Sequence, residues 1–212
     1  NKTAKSHALS EFKMAMMHFD QELFFNTYNW LMAEKSFQEI FYEVFLPLMQ
    51  ELGMLWQTDT ISPAHEHFIT FLIKQKLLIQ TEQLQVLKPR KTDKVFVLSL
   101  PMNEIHELGL MYLNYEILSK GYKTIYLGES MPIENLKDLK KHFDSIVFVS
   151  YLTVQPDKDS VNDYVSRMKQ ELEDETTQLW YIGRMVEHID LSTLSNNMLV
   201  FNSIDSLVGV IK

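Results

Sequence analysis

The sequence contains no cysteine. That absence removes disulfides, thiolate metal centres and thiol nucleophiles together, so any metal must be held by histidine, by carboxylate or within a cofactor. No apolar run reaches the roughly 18 to 20 residues needed to span a bilayer. The opening Asn1-Lys2-Thr3-Ala4-Lys5 leads into no apolar signal segment, and a cytoplasmic location is the default expectation. Positive charge is also in short supply: the formal net charge is −8. A stand-alone nucleic-acid binder needs a net positive face to displace counterions from phosphates. DNA contact is therefore expected only through a DNA-binding part outside this chain. The chain starts with asparagine where an initiator methionine would stand, so a piece of a longer protein is expected. There is no internal repeat, no nucleophile–base–oxyanion set and no phosphate-binding glycine loop, and an enzyme is not expected.

What is present is an ordinary globular composition, 46% hydrophobic and 23% charged over 212 residues, enough for one large domain or two small ones. The apolar period changes near Pro89. Before it, Phe37, Ile40, Phe41, Val44, Phe45, Leu48, Met49 and Leu52 follow helical spacing, with Gly53 expected to end that helix. Looser helical patterns run over 6–18, 21–35 and 63–87, which predicts a four-helix bundle over 1–88. Ser62 is the expected N-cap of the last helix, with Pro63 at its first position and Glu66 in its first turn. After a Lys88-Pro89-Arg90-Lys91 linker, over 92–212, short apolar runs at 95–100, 124–127, 146–149, 179–182 and 198–201 alternate with helical stretches. Continuous apolar strands suit a parallel sheet buried on both faces, so the expectation is a doubly wound, five-stranded, Rossmann-like (flavodoxin-like) α/β domain.

In such sheets ligands bind beyond the carboxyl ends of the strands. The first strand is followed by Glu104-x-His106-x-x-Gly109, the third by Ser150-x-Leu152 and the fourth by Gly183. Taken singly, each is ordinary: a histidine at a helix start is commonly a cap or a surface group, a serine after a strand a turn residue, and a glycine a positive-φ position. Their shared placement on one sheet edge is what a ligand site would require.

Those residues resemble the Asp-x-His-x-x-Gly, Ser-x-Leu and Gly-Gly set of cobalamin-binding Rossmann-like domains. The resemblance implies that His106 replaces the cofactor's own base as axial ligand to cobalt and that Glu104 orients it. It also implies that Gly109, Ser150, Leu152 and Gly183 line a slot for the displaced nucleotide tail. The helical half carries Leu52-Gly53-x-x-Trp56 and then Ile61-Ser62-x-Ala64-x-Glu66-His67-Phe68, which is similar to the cap bundle of MerR-type cobalamin-dependent photoreceptor regulators. That similarity implies that Trp56 shields the adenosyl side of the corrin, that Glu66 binds the adenosyl group, and that His67 waits as a replacement upper ligand. The cofactor so implied is adenosylcobalamin, held by the two halves in a light-responsive, homo-oligomeric sensor. Trp56 also fits a plain bundle-core residue, and Glu66-His67 plain first-turn residues.

The sequence departs from the pattern at Glu104, at Arg184 and at Gln57-Thr58-Asp59, which lacks the glycine often found just after the Trp. Glu104 stands for the commoner aspartate, one methylene longer, and Arg184 stands where a second glycine would be. Two alternatives stay open: a corrinoid methyl carrier of a methyltransferase system, and a degenerate domain that no longer binds cobalamin. His65 cannot share a helix face with His67, and His7, His18, His142 and His188 read as surface residues.

Overall fold

Helical periodicity ahead of Pro89 is realised as α1 (Lys2–His18), α2 (Gln21–Glu34), α3 (Phe37–Ile40), α4 (Leu46–Gln57) and α5 (Pro63–Gln85). The structure is a computed structural model that describes residues 2–58 and 60–211, with the side chains of 2–4, 56 and 57 undescribed. It divides into two units, Asn1–Gln80 and Thr81–Lys212. In the first, α3 and α4 are one helical run interrupted by a wide π turn, Phe41–Phe45, across which the Leu46 N–H bonds the Phe41 carbonyl. Pro47 explains it: proline has no N–H to give and its ring would strike the carbonyl four residues back, and widening the turn relieves that clash. With the run counted once, the unit has the four expected helical segments.

Local chemistry sets the ends. Asp20 caps α2 by accepting from the Leu23 N–H at 2.9 Å, and Ser36 with Glu39 forms a capping box at the start of α3. Gly53 does not end its helix, contrary to expectation. It is exposed, the place of a Cβ is open, and α4 runs on to Gln57. The stop comes where the Thr58 hydroxyl donates to the Leu55 carbonyl at 3.1 Å, satisfying a group the helix leaves open. At α5 the Ser62 N–H donates to His65 Nδ1 at 3.1 Å, with the Ser62 hydroxyl 3.0 Å from the same nitrogen. The core is aromatic: Phe12, Phe24 and Phe45 are fully buried, with ring centroids of Phe12 5.0 Å from Phe24 and 5.4 Å from Phe45.

The second unit is the expected α/β fold. Strands β1 (Lys91–Ser99), β2 (Tyr122–Gly128), β3 (Ile146–Tyr151), β4 (Thr177–Ile182) and β5 (Met198–Phe201) form one sheet in the order β2-β1-β3-β4-β5, every pair parallel. Helices α6 (Leu108–Ser119) and α9 (Ile204–Val210) pack together, as do α7 (Ile133–Leu136) and α8 (Val161–Leu172). The α7–α8 side buries Val97, Phe148, Leu179 and Tyr181 of the strands with Val165 and Met168. Phe96, Leu98, Val149 and Trp180, alternating with these, are buried as well, so both sheet faces are covered. The strand order reverses at β1, and the carboxyl ends of β1 and β3 meet there in register, Ser99 opposite Ser150. This is the switch point at which flavodoxin-like sheets hold ligands. Among the described residues no helix is long and apolar enough to cross a membrane.

Candidate functional site

The loop leaving β1 is organised by one carboxylate. Glu104 is 1% exposed. Its Oε1 accepts from the backbone N–H of Ile105 and of His106, both at 2.9 Å, and lies 2.6 Å from His106 Nδ1. Its Oε2 accepts from the N–H groups of Val154 and Gln155, at 2.6 and 2.7 Å, in the loop after β3. Burial pushes the carboxyl up, but the N–H groups of Gln155, His106 and Val154 and the His106 ring outweigh it and hold the group down at about 2. Glu104 is therefore an anion at neutral pH, and an anion only accepts. His106 Nδ1 must then be the donor, and in the neutral ring that tautomer has its lone pair on Nε2. The His106 side chain is 55% exposed, and its ring is fixed at one nitrogen and open at the other.

One glutamate side chain reaches both loops, and the His106 contact is short and intact. Sequence reasoning missed the two backbone donors of Val154 and Gln155, because main-chain N–H groups leave no residue signature. The remaining positions lie along the same edge. Gly109 is the second residue of α6, and a Cβ built on it would fall 2.6 to 2.8 Å from ring and hydroxyl atoms of Tyr151. The buried Ser150 hydroxyl is 3.1 Å from the Tyr164 hydroxyl. Leu152 is fully buried, and its backbone crosses Gly183 so closely that a Cβ there would collide with the Leu152 carbonyl oxygen. Gly183 has φ +116°, ψ −179°, a conformation open to glycine alone. Arg184 is exposed.

In the helical unit Glu66 and His67 sit in the first turn of α5. Glu66 Oε2 is 3.3 Å from His67 Nε2, and the His67 side chain is 78% exposed. The Thr70 hydroxyl donates to Glu66 Oε1 at 2.9 Å. The Trp56 side chain lies outside the described residues. His65 stacks on Phe19 at 4.7 Å, and His7 meets the edge of Trp30 at 5.9 Å. Among the described residues no group of three or more histidines and carboxylates is placed to hold a bare metal ion.

A five-stranded parallel sheet with an exposed, carboxylate-oriented imidazole at its switch point defines a Rossmann-like ligand-binding class. Residues 8–79 match the family model of the B12 binding domain. HTH-type transcriptional repressor CarH of Myxococcus xanthus is 26% identical over 139 residues, 66% of this chain and 42% of that protein. HTH-type transcriptional repressor CarA of the same organism is 29% identical over 92 residues, 43% of this chain and 29% of that protein. The chain thus spans less than half the length of these curated relatives. Among solved structures, the Methanosarcina barkeri monomethylamine corrinoid protein matches with a TM-score of 0.73, covering 97% of each chain at 13% identity, a likeness of fold.

Proposed function

We propose that this chain is the cobalamin-binding sensory part of a MerR-type transcription regulator, taking adenosylcobalamin with His106 Nε2 as the lower axial ligand to cobalt. The observation that carries the proposal is the Glu104–His106 pair: an ionised, buried carboxylate 2.6 Å from Nδ1. A corrinoid cobalt takes a neutral imidazole nitrogen, and a second partner that fixes the tautomer and raises ring basicity is what such a ligand needs. The donor set fits. The B12 binding domain match over residues 8–79 and the two repressor relatives support the cofactor and the regulatory role.

When bound, adenosylcobalamin supplies a cobalt–carbon bond that light breaks. The chain's own residues do the rest. Glu104 keeps the proton on Nδ1 and the lone pair on Nε2. Trp56 would exclude water from the bound corrinoid, Glu66 would hold the adenosyl sugar or base, and His67 would offer a replacement nitrogen ligand. Loss of those contacts is the free-energy difference that drives a change of state. The chain acts in the cytoplasm as a homo-oligomer, is not itself a catalyst, and reaches DNA only through an attached helix-turn-helix part.

Titration with adenosylcobalamin in the dark, followed by absorbance, is expected to give a base-off, histidine-ligated spectrum that His106→Ala abolishes. Size exclusion before and after illumination is expected to show a change in mass. An unchanged profile contradicts the light-sensor role, and an unchanged spectrum contradicts binding itself. A second reading, a corrinoid methyl carrier, is favoured by the fold shared with the monomethylamine corrinoid protein across 97% of both chains. Co-purification of methyl in place of adenosyl on the upper face would select it.

A further inference from the structure

The axial half of the proposed site is open, whereas the positions expected to line a nucleotide slot are filled by the chain's own atoms. The space that Gly109 leaves is taken by the Tyr151 ring, whose Cζ, Cε2 and hydroxyl lie 2.6 to 2.8 Å from where a Cβ would be. The Ser150 hydroxyl is engaged by Tyr164 at 3.1 Å. Gly183 is crossed by the Leu152 backbone, which is fixed in turn by hydrogen bonds from Leu152 N–H to the Ile182 carbonyl at 2.7 Å and from Met185 N–H to the Leu152 carbonyl at 2.9 Å. Gly109 and Gly183 thus each have an internal reason to be small, and the Ser150 hydroxyl already has a partner.

We infer that Tyr151 is a specificity-determining residue that closes the nucleotide slot, so that this chain recognises the corrin ring and its axial position and gains little from the nucleotide tail. The inference rests on the cobalamin reading above and deepens it by naming the ligand class: corrinoids with or without a nucleotide loop, cobinamides included. A tail that enters must first displace the Tyr151 ring from the space beside Gly109. A tail-less corrinoid meets His106 with no such displacement, and it has no competing base of its own on cobalt.

The test compares hydroxocobalamin with aquocobinamide, each titrated into the intact 212-residue chain and followed by absorbance. The two dissociation constants are expected to agree within about threefold, a difference of about 0.7 kcal/mol. Tyr151→Ala should open the slot and tighten hydroxocobalamin about tenfold, with cobinamide unchanged. Because that variant can lose stability, the ligand pair on the unmodified chain stands as the deciding measurement. Hydroxocobalamin bound 100-fold or more tighter than cobinamide by the unmodified chain overturns the inference and leaves the cobalamin reading standing. Failure of both ligands to give a histidine-ligated spectrum overturns the two together.

Discussion

At the scale of single residues, Glu104 does the work of a loop clamp and of a ligand orienter with one carboxylate. Five N–H donors converge on it, and glutamine in its place would turn two of its own hydrogens toward some of them. Glu104→Gln is expected to cost about 2 kcal/mol, read from the urea midpoint at neutral pH. The pH dependence has a definite sign. The folded-state value lies below the ordinary one, so the stabilisation is complete above 4.5 and is lost as the pH falls through about 2. The difference in stability between the natural chain and Glu104→Gln should shrink over that acid range; a difference constant with pH would contradict the clamp. His106 behaves oppositely. Its side chain is more than half exposed, so His106→Ala should change stability by less than about 1 kcal/mol and serve as a clean probe of ligation.

At the scale of elements, the five strands and the helical segments were legible because apolar periodicity carries them, and the sheet turned out where continuous hydrophobic runs put it. The π turn was not legible from periodicity: Phe37, Ile40, Phe41, Val44, Phe45 and Leu48 are all buried, and only Pro47 signals that the hydrogen-bond ladder must open. Gly53 misled for a related reason. Glycine is a common helix terminator, yet this one lies inside α4 with open space around its Cα, and Thr58 supplies the stop. Gly53→Ala is therefore expected to stabilise the chain by roughly 0.5 to 1 kcal/mol, through the smaller entropy of the unfolded chain and better helix propensity. A lower thermal midpoint for this variant would show that the helix ends near residue 53 after all.

At the scale of the molecule, the topology explains why residues far apart in sequence come to one edge: with every strand parallel, the loops after β1, β3 and β4 share an end of the sheet. That much of the candidate site followed from the alternation of strands and helices. What did not follow was how the edge is finished. Tyr151 and Tyr164 fill space next to Gly109 and Ser150, and side-chain filling of that kind depends on rotamers and neighbours that spacing does not encode. Departures from a familiar pattern also had no fixed sign in the sequence: Glu104 keeps the His106 contact and bonds the loop after β3 as well, and Arg184 lies exposed.

Coordination of a corrinoid cobalt by His106 Nε2 can be read from the electron paramagnetic resonance of the chain loaded with cob(II)alamin. In protein grown with 15N-histidine, the nitrogen splitting of the cobalt lines should change from three-fold to two-fold, and His106→Ala should remove the two-fold pattern. A three-fold pattern that persists with labelled histidine, or a two-fold pattern that survives in His106→Ala, would contradict it.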